Sequence, residues 1–323
     1  MKNRILIIGD VILDEYIHTI PIKVSPEAPI LVVKKSSSSQ YRLGGASNVA
    51  YNLKVLDSEP YLIGITGIDQ EANIIKNLLM ENHIDNFLVD FKSRSTTIKS
   101  RILSHNQQIL RIDREETEHI EYRFLKILEG KLGGDFNLKD LKAIIVSDYG
   151  KGTITGELLK YLSRLCEEYK IILAIDPYVN HTIEYKQNLK KIDLITPNEN
   201  QAWQIYGILD SLNSYPNKKS AKDLNDLAMN ISSMFKCSNV LITLSEKGMM
   251  LLDSNDDFFY ENAIKKEVVD VVGCGDTVIS TFVHFMIQSI EPEKCMKYSN
   301  LAASKTVSFL GTHAVKESEL TKE

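Results

Sequence analysis

The segment Asp270–Thr277 combines two glycines with two acidic residues, directly before the helix-like apolar stretch Val278–Ile290. Glycines at positions 273 and 275 allow backbone N–H groups to converge on an anion, and the dipole of the following helix favours negative charge there. Asp276 would then lie beside a bound phosphate, where a carboxylate suits a general base that takes the proton of an attacking hydroxyl. The same pattern also fits a plain helix cap with Asp in its favoured place.

Two further segments carry residues that suit recognition of a polyol. Gly44 and Gly45 precede Ala46–Leu56, which has helical apolar spacing, and Asn48 could present its amide to a ligand hydroxyl. Asp14 follows the first apolar run and could accept hydrogen bonds from sugar hydroxyls. Ordinary turn chemistry for the glycines and a solvated loop acid at position 14 are the alternative interpretations.

Amides and cations recur further along the chain. Asn106 and Gln108 lie at the start of a predicted strand, and amides of this kind suit hydroxyl recognition. Arg111 suits a phosphate through bidentate contacts, and Lys151 could offset phosphate charge. A polar, exposed strand face and a solvated lysine remain the alternatives.

The elements that would position these residues form an α/β pattern. Short apolar runs without alternation, separated by helix-like stretches, are typical of parallel strands that are covered on both faces. In such sheets the ligand crevice lies outside the carboxyl ends of the strands. Four runs, Ala143–Val146, Ile171–Ile175, Leu194–Thr196 and Val240–Leu244, are followed by the polar residues Asp148, Asp176, Asn198 and Ser245.

Two segments break this rhythm. Residues 15–43 and 87–113 contain prolines or alternating polar and apolar residues, as in Phe87–Phe91, Thr96–Leu103 and Gln108–Asp113. Both segments predict strands of a smaller, partly exposed sheet. Such a sheet could cover the crevice as a lid or pair with another subunit.

Composition excludes several classes of function. The net charge of the 323 residues is −5, and no basic block stands out, so nucleic acid and anionic membranes are poor partners. No apolar stretch reaches the roughly 18 residues of a membrane span, and no targeting segment is visible. The four cysteines lack C-x-x-C spacing and the seven histidines form no H-x-x-x-H pair, which disfavours disulfides and zinc and favours a cytoplasmic location.

In chain order, these motifs resemble the ribokinase-like carbohydrate kinases, also called the phosphofructokinase-B type. The resemblance extends from Ile5 to Thr312 and rests on Gly44–Asn48, Ile195–Asn198 and Gly273–Asp276. Other segments resemble the kinases of D-glycero-D-manno-heptose 7-phosphate within that family, which serve ADP-heptose and lipopolysaccharide biosynthesis. These segments are Gly9–Asp14, Ser25–Pro29, Asn106–Asp113, Ser147–Gly152 and Thr243–Met249.

The resemblance implies one ribokinase-like kinase domain over residues 1–323, with a doubly wound, mostly parallel sheet, helices on both faces and a small β-sheet lid. It implies no nucleotidyltransferase domain, a homodimer formed through the lid strands, and ATP, Mg²⁺ and K⁺ as cofactors. The implied base is Asp276, and the implied anion hole consists of Gly273, Cys274 and Gly275.

Binding residues follow from the resemblance together with the strand-end positions. The predicted ATP-binding residues are Asn198, Glu199, Asn200, Gln201, Thr243, Ser245, Glu246, Gly248, Asn300 and Ala303. The predicted contacts with the sugar phosphate are Asp14, Gly44, Gly45, Asn48, Asn106, Gln108, Arg111, Asp148, Lys151 and Asp176. The predicted metal positions are Glu199 for Mg²⁺ and Asp270 for a monovalent cation.

Three positions depart from the family pattern. Gln201 replaces a glutamate, Tyr178 replaces a lysine and Cys274 replaces an alanine. The predicted reaction is ATP-dependent phosphorylation of the anomeric hydroxyl of heptose 7-phosphate, giving the 1,7-bisphosphate. Because of Tyr178, a kinase for another sugar or sugar phosphate is an alternative. Because of Gln201, a second alternative is a nucleotide- or sugar-binding protein with little catalysis.

Overall fold

The computed structural model describes residues 3–105, 107–120, 123–134, 136–211 and 221–321. Within these ranges the chain forms two sheets, and helices cover both faces of the larger one. In chain order the strands are β1 (Arg4–Gly9), β2 (Val11–Val24), β3 (Leu31–Lys35), β4 (Gln40–Gly45), β5 (Glu59–Thr66), β6 (Asp85–Asp90), β7 (Thr97–Ser104), β8 (Gln107–Arg114), β9 (Leu141–Ser147), β10 (Ile172–Asp176), β11 (Leu194–Ile195), β12 (Val240–Thr243), β13 (Met249–Leu252) and β14 (Phe258–Glu261).

The helices alternate with the strands of the larger sheet through most of the chain. They are α1 (Ala46–Val55), α2 (Gln70–Glu81), α3 (Arg123–Gly133), α4 (Gly156–Tyr169), α5 (Thr182–Asn188), α6 (Glu199–Ser211), α7 (Leu224–Phe235), α8 (Cys274–Met286) and α9 (Pro292–Thr306). None of the helices in the described ranges combines the length and apolar character that a bilayer crossing requires.

The larger sheet has nine strands in the order β14-β13-β12-β11-β10-β9-β1-β5-β6. The strands from β12 to β6 pair in parallel, and β13 and β14 add antiparallel at one edge. The two faces of β1 pack into different core clusters. Ile5 and Ile7 pack with residues of α1 and α8, whereas Leu6 and Ile8 pack with residues of α4 and α7. The predicted doubly wound α/β fold is therefore confirmed, because a strand buried on both faces needs apolar residues at every position.

The smaller sheet has five strands. Its order is β3-β2-β7-β8, and β4 also pairs with β2. Residues 15–43 and 97–113 thus form the predicted separate sheet, which we call the lid. Asp14 pairs with Lys99 across β2 and β7, and Lys99 pairs with Asp113 across β7 and β8. Three neighbouring strands therefore place charged side chains close together.

The prediction that Phe87–Phe91 belongs to the smaller sheet is wrong. These residues lie in and just after β6, which pairs in parallel with β5 at the edge of the larger sheet. Phe87, Val89 and Phe91 pack half-buried against the core. An edge strand that is well covered on one face alternates like a strand of an exposed sheet, so the pattern alone could not distinguish the two.

Candidate active site

Asp276 lies in the first turn of α8, at the carboxyl ends of the parallel strands, and only 2% of it is exposed. Both of its carboxylate oxygens accept hydrogen bonds from side chains. Asn48 Nδ2 donates to Oδ2 at 2.7 Å, and the Tyr149 hydroxyl donates to Oδ1 at 2.7 Å. The helix begins at Cys274, four residues earlier than the predicted start at Val278, and this places Asp276 beside the N-terminus.

Burial raises the pKa of Asp276 from 3.8 to about 7. The hydrogen bonds from Asn48 and Tyr149 lower this pKa, and the nearby Asp14 carboxylate raises it. A carboxyl group with a pKa near neutrality can be ionised before the reaction and protonated after it, as a general base requires.

Asn48 is oriented by a second amide. Asn52 Nδ2 donates to the Asn48 side-chain oxygen at 3.2 Å and to its backbone oxygen at 2.9 Å. The Thr277 hydroxyl donates to Asn52 Oδ1 at 3.1 Å, which links α1 to α8. Because the Asn48 oxygen accepts from Asn52, its NH₂ group is directed at Asp276.

The predicted anion hole lies at the start of α8. Gly273 has φ 79°, and a Cβ there would lie 2.7 Å from Asn48 Nδ2 and 2.9 Å from Thr312 Cγ2, so only glycine fits. The Cys274 N–H already donates to Val271 O at 3.3 Å. The N–H groups of Gly275 and Asp276 have no partner within the helix, because they belong to its first turn. They are the donors available to an anion.

Cys274 takes the place of an alanine in the family pattern. Burial raises the pKa of its thiol to about 12, so the thiol is uncharged. The side chain therefore adds no negative charge beside a phosphate, in line with a role carried by the backbone.

A second carboxylate faces the same crevice. Asp176 ends β10, and a Cβ on Gly275 would lie 3.9 Å from its Oδ2. Burial, together with the negative charges of Asp276 and Asp148, raises the pKa of Asp176 well above its ordinary range. This carboxyl is predicted to contact the substrate, and its position at the glycine loop keeps that prediction open.

Asp148 is engaged by its own chain. It accepts hydrogen bonds from the Gly150 N–H at 2.9 Å, from His181 Nδ1 at 2.7 Å and from the Tyr185 hydroxyl. The pKa of His181 is raised by its hydrogen bond to Asp148 despite the opposing effect of burial. In this structure Asp148 braces the loop after β9, and its contact with substrate stays a prediction.

Asp10 is a buried residue for which the sequence predicted no role. Its carboxylate accepts the backbone N–H groups of Tyr149, Lys151 and Thr153 at 2.8, 3.0 and 3.1 Å. Asp10 therefore holds the loop that presents the Tyr149 hydroxyl to Asp276. The sequence signal that could have identified Asp10 was its position directly after the first buried strand.

The lid contributes cations to the crevice. Lys99 lies over the ring of Tyr149, with Nζ 5.7 Å from the ring centroid. Burial lowers the pKa of Lys99, which lies near the carboxylates of Asp113 and Asp14 and near the cations of Lys151 and Arg111. Lys99 was not predicted as a site residue, because a single lysine in an alternating strand has no distinguishing sequence signal.

Other predicted substrate residues lie in ion pairs or are exposed. Arg101 donates to Asp14 at 2.5 Å in a buried pair, and Arg111 donates to Asp113 at 2.9 Å. Lys151 pairs with Glu115 at 2.8 Å, so it is tied to the end of β8 and is not simply solvated. Gln108 is exposed. Asn106 lies outside the described residues, and Gly44 lies against Asp14 Oδ2.

A cavity of about 420 Å³ adjoins the glycine loop. Its wall is mostly apolar, and Asn300 at its edge donates to Asn262 O at 2.8 Å. Six predicted ATP-binding residues line it together with Cys274 and Gly275: Thr243, Ser245, Glu246, Gly248, Asn300 and Ala303. A mostly apolar cavity thus adjoins the anion donors of α8.

The start of α6 forms a reciprocal cap. The Asn198 N–H donates to Gln201 Oε1 at 2.8 Å, and the Gln201 N–H donates to Asn198 Oδ1 at 2.9 Å. Gln201 Nε2 also donates to Pro177 O at 3.1 Å, a bond that a glutamate could not make. Glu199 lies 3.9 Å from Lys247 Nζ, and Asn200 is exposed. The departure at position 201 therefore has a local structural role.

Asp270 holds two loops together. Its oxygens accept the N–H groups of Val272 at 3.1 Å and Gly311 at 2.8 Å. Among the residues that the structure describes, no group of three or more His, Cys, Asp or Glu side chains could hold a metal ion.

Comparison with known proteins bears on both fold and chemistry. The model of the pfkB family carbohydrate kinases matches residues 2–319. The "Bifunctional protein HldE" of Campylobacter curvus is 34% identical over 314 residues, which cover 96% of this chain and 63% of that protein. The protein of the same name from Haemophilus ducreyi is 35% identical over 321 residues, covering 99% and 63%. The chain thus spans less than two thirds of the length of these relatives.

Solved structures show the same fold at low identity. Phosphofructokinase-2 from Escherichia coli, in complex with substrates and products, has a TM-score of 0.78 and 16% identity, covering 100% of this chain and 98% of that one. Ribokinase from Arabidopsis thaliana, complexed with ribose and ATP, has a TM-score of 0.72 and 17% identity over 100% and 98%. The predicted ribokinase-like fold with a small second sheet is confirmed. With the match over nearly the whole sequence, the chain belongs to the pfkB family of carbohydrate kinases.

Proposed function

We propose that this kinase transfers the γ-phosphoryl group of ATP to the anomeric hydroxyl of a sugar phosphate. The acceptor that we propose is D-glycero-β-D-manno-heptose 7-phosphate, and the product is the 1,7-bisphosphate. The observation that carries the proposal is the buried carboxylate of Asp276, which has a pKa of about 7 and lies beside the free N–H groups of a helix N-terminus.

The chemistry follows from that arrangement. Asp276 accepts the proton of the anomeric hydroxyl while the oxygen attacks the γ-phosphorus, and the bond from the γ-phosphorus to the leaving ADP oxygen breaks. The N–H groups of Gly275 and Asp276 stabilise the negative charge of the transferring group, aided by the dipole of α8. One of the donors to the carboxylate, Asn48 or Tyr149, gives way to the substrate hydroxyl.

The nucleotide would occupy the cavity beside α8. Its apolar wall suits a base, and Asn300 can present a carboxamide oxygen to an exocyclic amine. Magnesium would neutralise charge on the phosphate oxygens. Glu199 fits a water-mediated contact with that ion, because its side chain is 37% exposed and its one described ion pair is long, at 3.9 Å. Gln201 is bound within the cap and serves the helix.

A phosphorylated acceptor is supported by the charge on the lid. Lys99, Arg111 and Lys151 lie close enough to influence one another, and two of them are paired with Asp113 and Glu115. A phosphate dianion would offer these cations stronger, charge-assisted partners than the carboxylates do. A neutral sugar would not need them.

The heptose assignment rests on the motifs Ser25–Pro29 and Ser147–Gly152 and on the two relatives described above. A second candidate, another sugar phosphate, is favoured by Tyr178. Its ring lies against Gly150, where a Cβ would come within 2.3 Å of it, and its edge meets His181. An aromatic ring here offers hydrogen bonding and stacking to a substrate where a lysine would offer charge. A binding protein with little catalysis is disfavoured by the pKa of Asp276.

Assembly and location complete the proposal. The lid exposes Ile20 and Ile22 on β2 and Leu110 and Ile112 on β8, apolar side chains of the kind that proteins cover. We propose that the lid strands pair with those of a second copy and that the described residues form one kinase unit. The reaction belongs in the cytoplasm, where ATP is made. Gel filtration with light scattering should give the mass of a dimer, and a monomer would refute this part.

A substrate panel tests the reaction. The purified chain is incubated with ATP and Mg²⁺, ADP release is measured, and the acceptors are heptose 7-phosphate, fructose 6-phosphate, fructose and ribose. We expect the highest kcat/KM for heptose 7-phosphate. A clear preference for fructose or ribose would defeat the heptose assignment, and tight ATP binding without turnover on any acceptor would support a binding protein instead.

A further inference from the structure

Arg94 lies just before β7, on a segment that is anchored to the larger sheet. Two residues further on, the Thr96 N–H and hydroxyl donate to the Asp69 carboxylate at 2.8 and 2.7 Å, and the Thr96 hydroxyl accepts the Gly67 N–H at 2.9 Å. Gly67 and Asp69 lie between β5 and α2, and Asp69 also caps α2 by accepting the Ala72 N–H at 2.9 Å. The half-buried Arg94 therefore starts from a fixed position.

The guanidinium of Arg94 holds two separate segments through their backbone oxygens. Its Nη2 donates to Glu116 O at 2.7 Å and its Nη1 donates to Glu118 O at 3.3 Å, both in the segment that leaves the lid after β8. Nη2 also donates to the backbone oxygen of Lys151, in the loop after β9. A guanidinium carries five N–H donors in a rigid fork, which suits it to hold several carbonyl groups at once.

The two segments also contact each other. Gly152 has φ 85°, and a Cβ there would lie 2.0 Å from Glu118 O, so only glycine lets the segments approach this closely. The Ile120 N–H donates to Gly152 O at 3.1 Å, and the Lys151 side chain pairs with Glu115 at 2.8 Å. These contacts and the guanidinium together form a clasp between the end of β8 and the loop after β9.

The loop in this clasp carries a donor to the proposed base. Lys151 is held from two sides, because its N–H donates to Asp10 at 3.0 Å and its backbone oxygen accepts Arg94. Two residues earlier, the Tyr149 N–H donates to Asp10 at 2.8 Å and the Tyr149 hydroxyl donates to Asp276 at 2.7 Å. The position of the Tyr149 hydroxyl therefore depends on both anchors of the loop, Asp10 and Arg94.

We propose that Arg94 is a positioning residue: it fixes the end of the lid strand β8 and the loop of Tyr149 at one point, and thereby keeps the Tyr149 hydroxyl on Asp276. The inference rests on the proposed function in one respect, the role of Asp276 as the base. The clasp itself can be tested without any acceptor, so a failure of the proposed function and a failure of this inference are distinguishable.

The first measurement is amide hydrogen exchange of the unliganded chain, of Arg94→Gln and of Arg114→Gln. Arg114 is the matched control, because it ties the end of β8 to Glu71 of α2 at 2.8 Å and lies outside the clasp. We expect peptides that cover residues 149–153 to exchange about tenfold faster in Arg94→Gln and at the original rate in Arg114→Gln. Unchanged exchange in Arg94→Gln, or equal acceleration in both variants, would overturn the inference.

The second measurement is kcat, together with the pH profile of kcat/KM, on the best acceptor of the substrate panel. Arg94→Gln should lower kcat by about tenfold, because a displaced hydrogen-bond donor changes the orientation of the base, and should leave KM for ATP within about twofold. Loss of the Tyr149 hydrogen bond raises the pKa of Asp276, so the acid limb should move to higher pH, as in Tyr149→Phe.

A double-mutant cycle separates positioning from a general structural effect. Because both substitutions act on one hydrogen bond, the acid limb of Arg94→Gln/Tyr149→Phe should coincide with that of Tyr149→Phe alone. Arg94→Lys, which keeps the charge but not the fork, should shift the limb in the same direction by a smaller amount, and it provides the test if Arg94→Gln fails to fold. Additive shifts, or an acid limb of Arg94→Gln at the original pH, would overturn the inference.

Discussion

The two sheets bring opposite charges to one crevice. At the carboxyl ends of the larger sheet the residues are acidic: buried Asp10 follows β1, buried Asp148 follows β9 and partly buried Asp176 ends β10. The lid opposes them with Lys99 on β7 and Arg111 on β8. The side of the crevice formed by the larger sheet therefore favours proton transfer, and the side formed by the lid favours the binding of anions.

The two sheets also differ in how firmly they hold the charged residues that face the crevice. Two carboxylates at the larger sheet are held by several hydrogen bonds: Asp10 accepts three backbone N–H groups, and Asp148 accepts from Gly150, His181 and Tyr185. Arg111 of the lid has one carboxylate partner, Asp113, and Lys151 in the loop after β9 has one, Glu115. All of β8 is exposed. A reaction needs fixed geometry, whereas recognition and closure need exchangeable partners. We infer that the larger sheet determines the chemistry and the lid determines the acceptor.

The largest expected effect tests the chemical half. Asp276→Asn should lower kcat by about 10²- to 10⁴-fold, because an amide cannot take the proton, while ATP affinity stays within a few fold. Single-turnover kinetics and calorimetry with ATP measure the two quantities. Asp140→Asn, at the opposite end of β9, is the control. Near-normal turnover of Asp276→Asn would show that another group is the base.

The next effect tests the lid. Lys99→Met should raise KM for the phosphorylated acceptor by about 10- to 100-fold, the loss of one charged hydrogen bond, and leave KM for ATP unchanged. Steady-state kinetics with both substrates varied gives these values. Lys160→Met, exposed on α4, is the matched control. A loss confined to kcat would mean that the lid takes part in the chemistry, and the division drawn above would not hold.

The pH profile sharpens the view of Asp276 as a finely adjusted base. Because the base must be ionised and its pKa is about 7, kcat/KM should fall tenfold per pH unit below that value. The Tyr149 hydrogen bond lowers this pKa, so Tyr149→Phe should move the acid limb to higher pH by about one unit. The kcat/KM profile from pH 5 to 9 measures both. An unmoved limb in Tyr149→Phe would separate the tyrosine from the base.

The smallest expected effect concerns the reciprocal cap at the start of α6. Gln201→Ala removes the reciprocal cap of α6 and the bond to Pro177 O, and should lower the free energy of unfolding by about 1 kcal/mol. Urea unfolding measures it, with the adjacent exposed Asn200→Ala as control. If Gln201→Ala changed the Mg²⁺ dependence of the rate and left stability unaltered, Gln201 would belong to the metal site and not to the cap.

Local sequence was sufficient for the larger sheet and for the glycine turn before Asp276. Continuous apolar runs such as Arg4–Ile8 can be buried only where both faces of a strand are covered, and the structure covers both. The glycines before Asp276 predicted an anion-binding helix start, because chirality leaves few residues with φ near 79°. Local sequence failed at Phe87–Phe91, since an edge strand and a lid strand carry the same alternation.

Only the tertiary structure decided which groups meet at the crevice. Tyr149 is 127 positions from Asp276 in the chain, Asn48 is 228 positions from it, and Arg42 is 270 positions from Thr312. No spacing in the sequence records such contacts, because they arise where separate strands end side by side. The pKa of Asp276 has the same origin. An aspartate carboxyl ordinarily has a pKa near 3.8, and that of Asp276 reaches about 7 because the folded chain buries it.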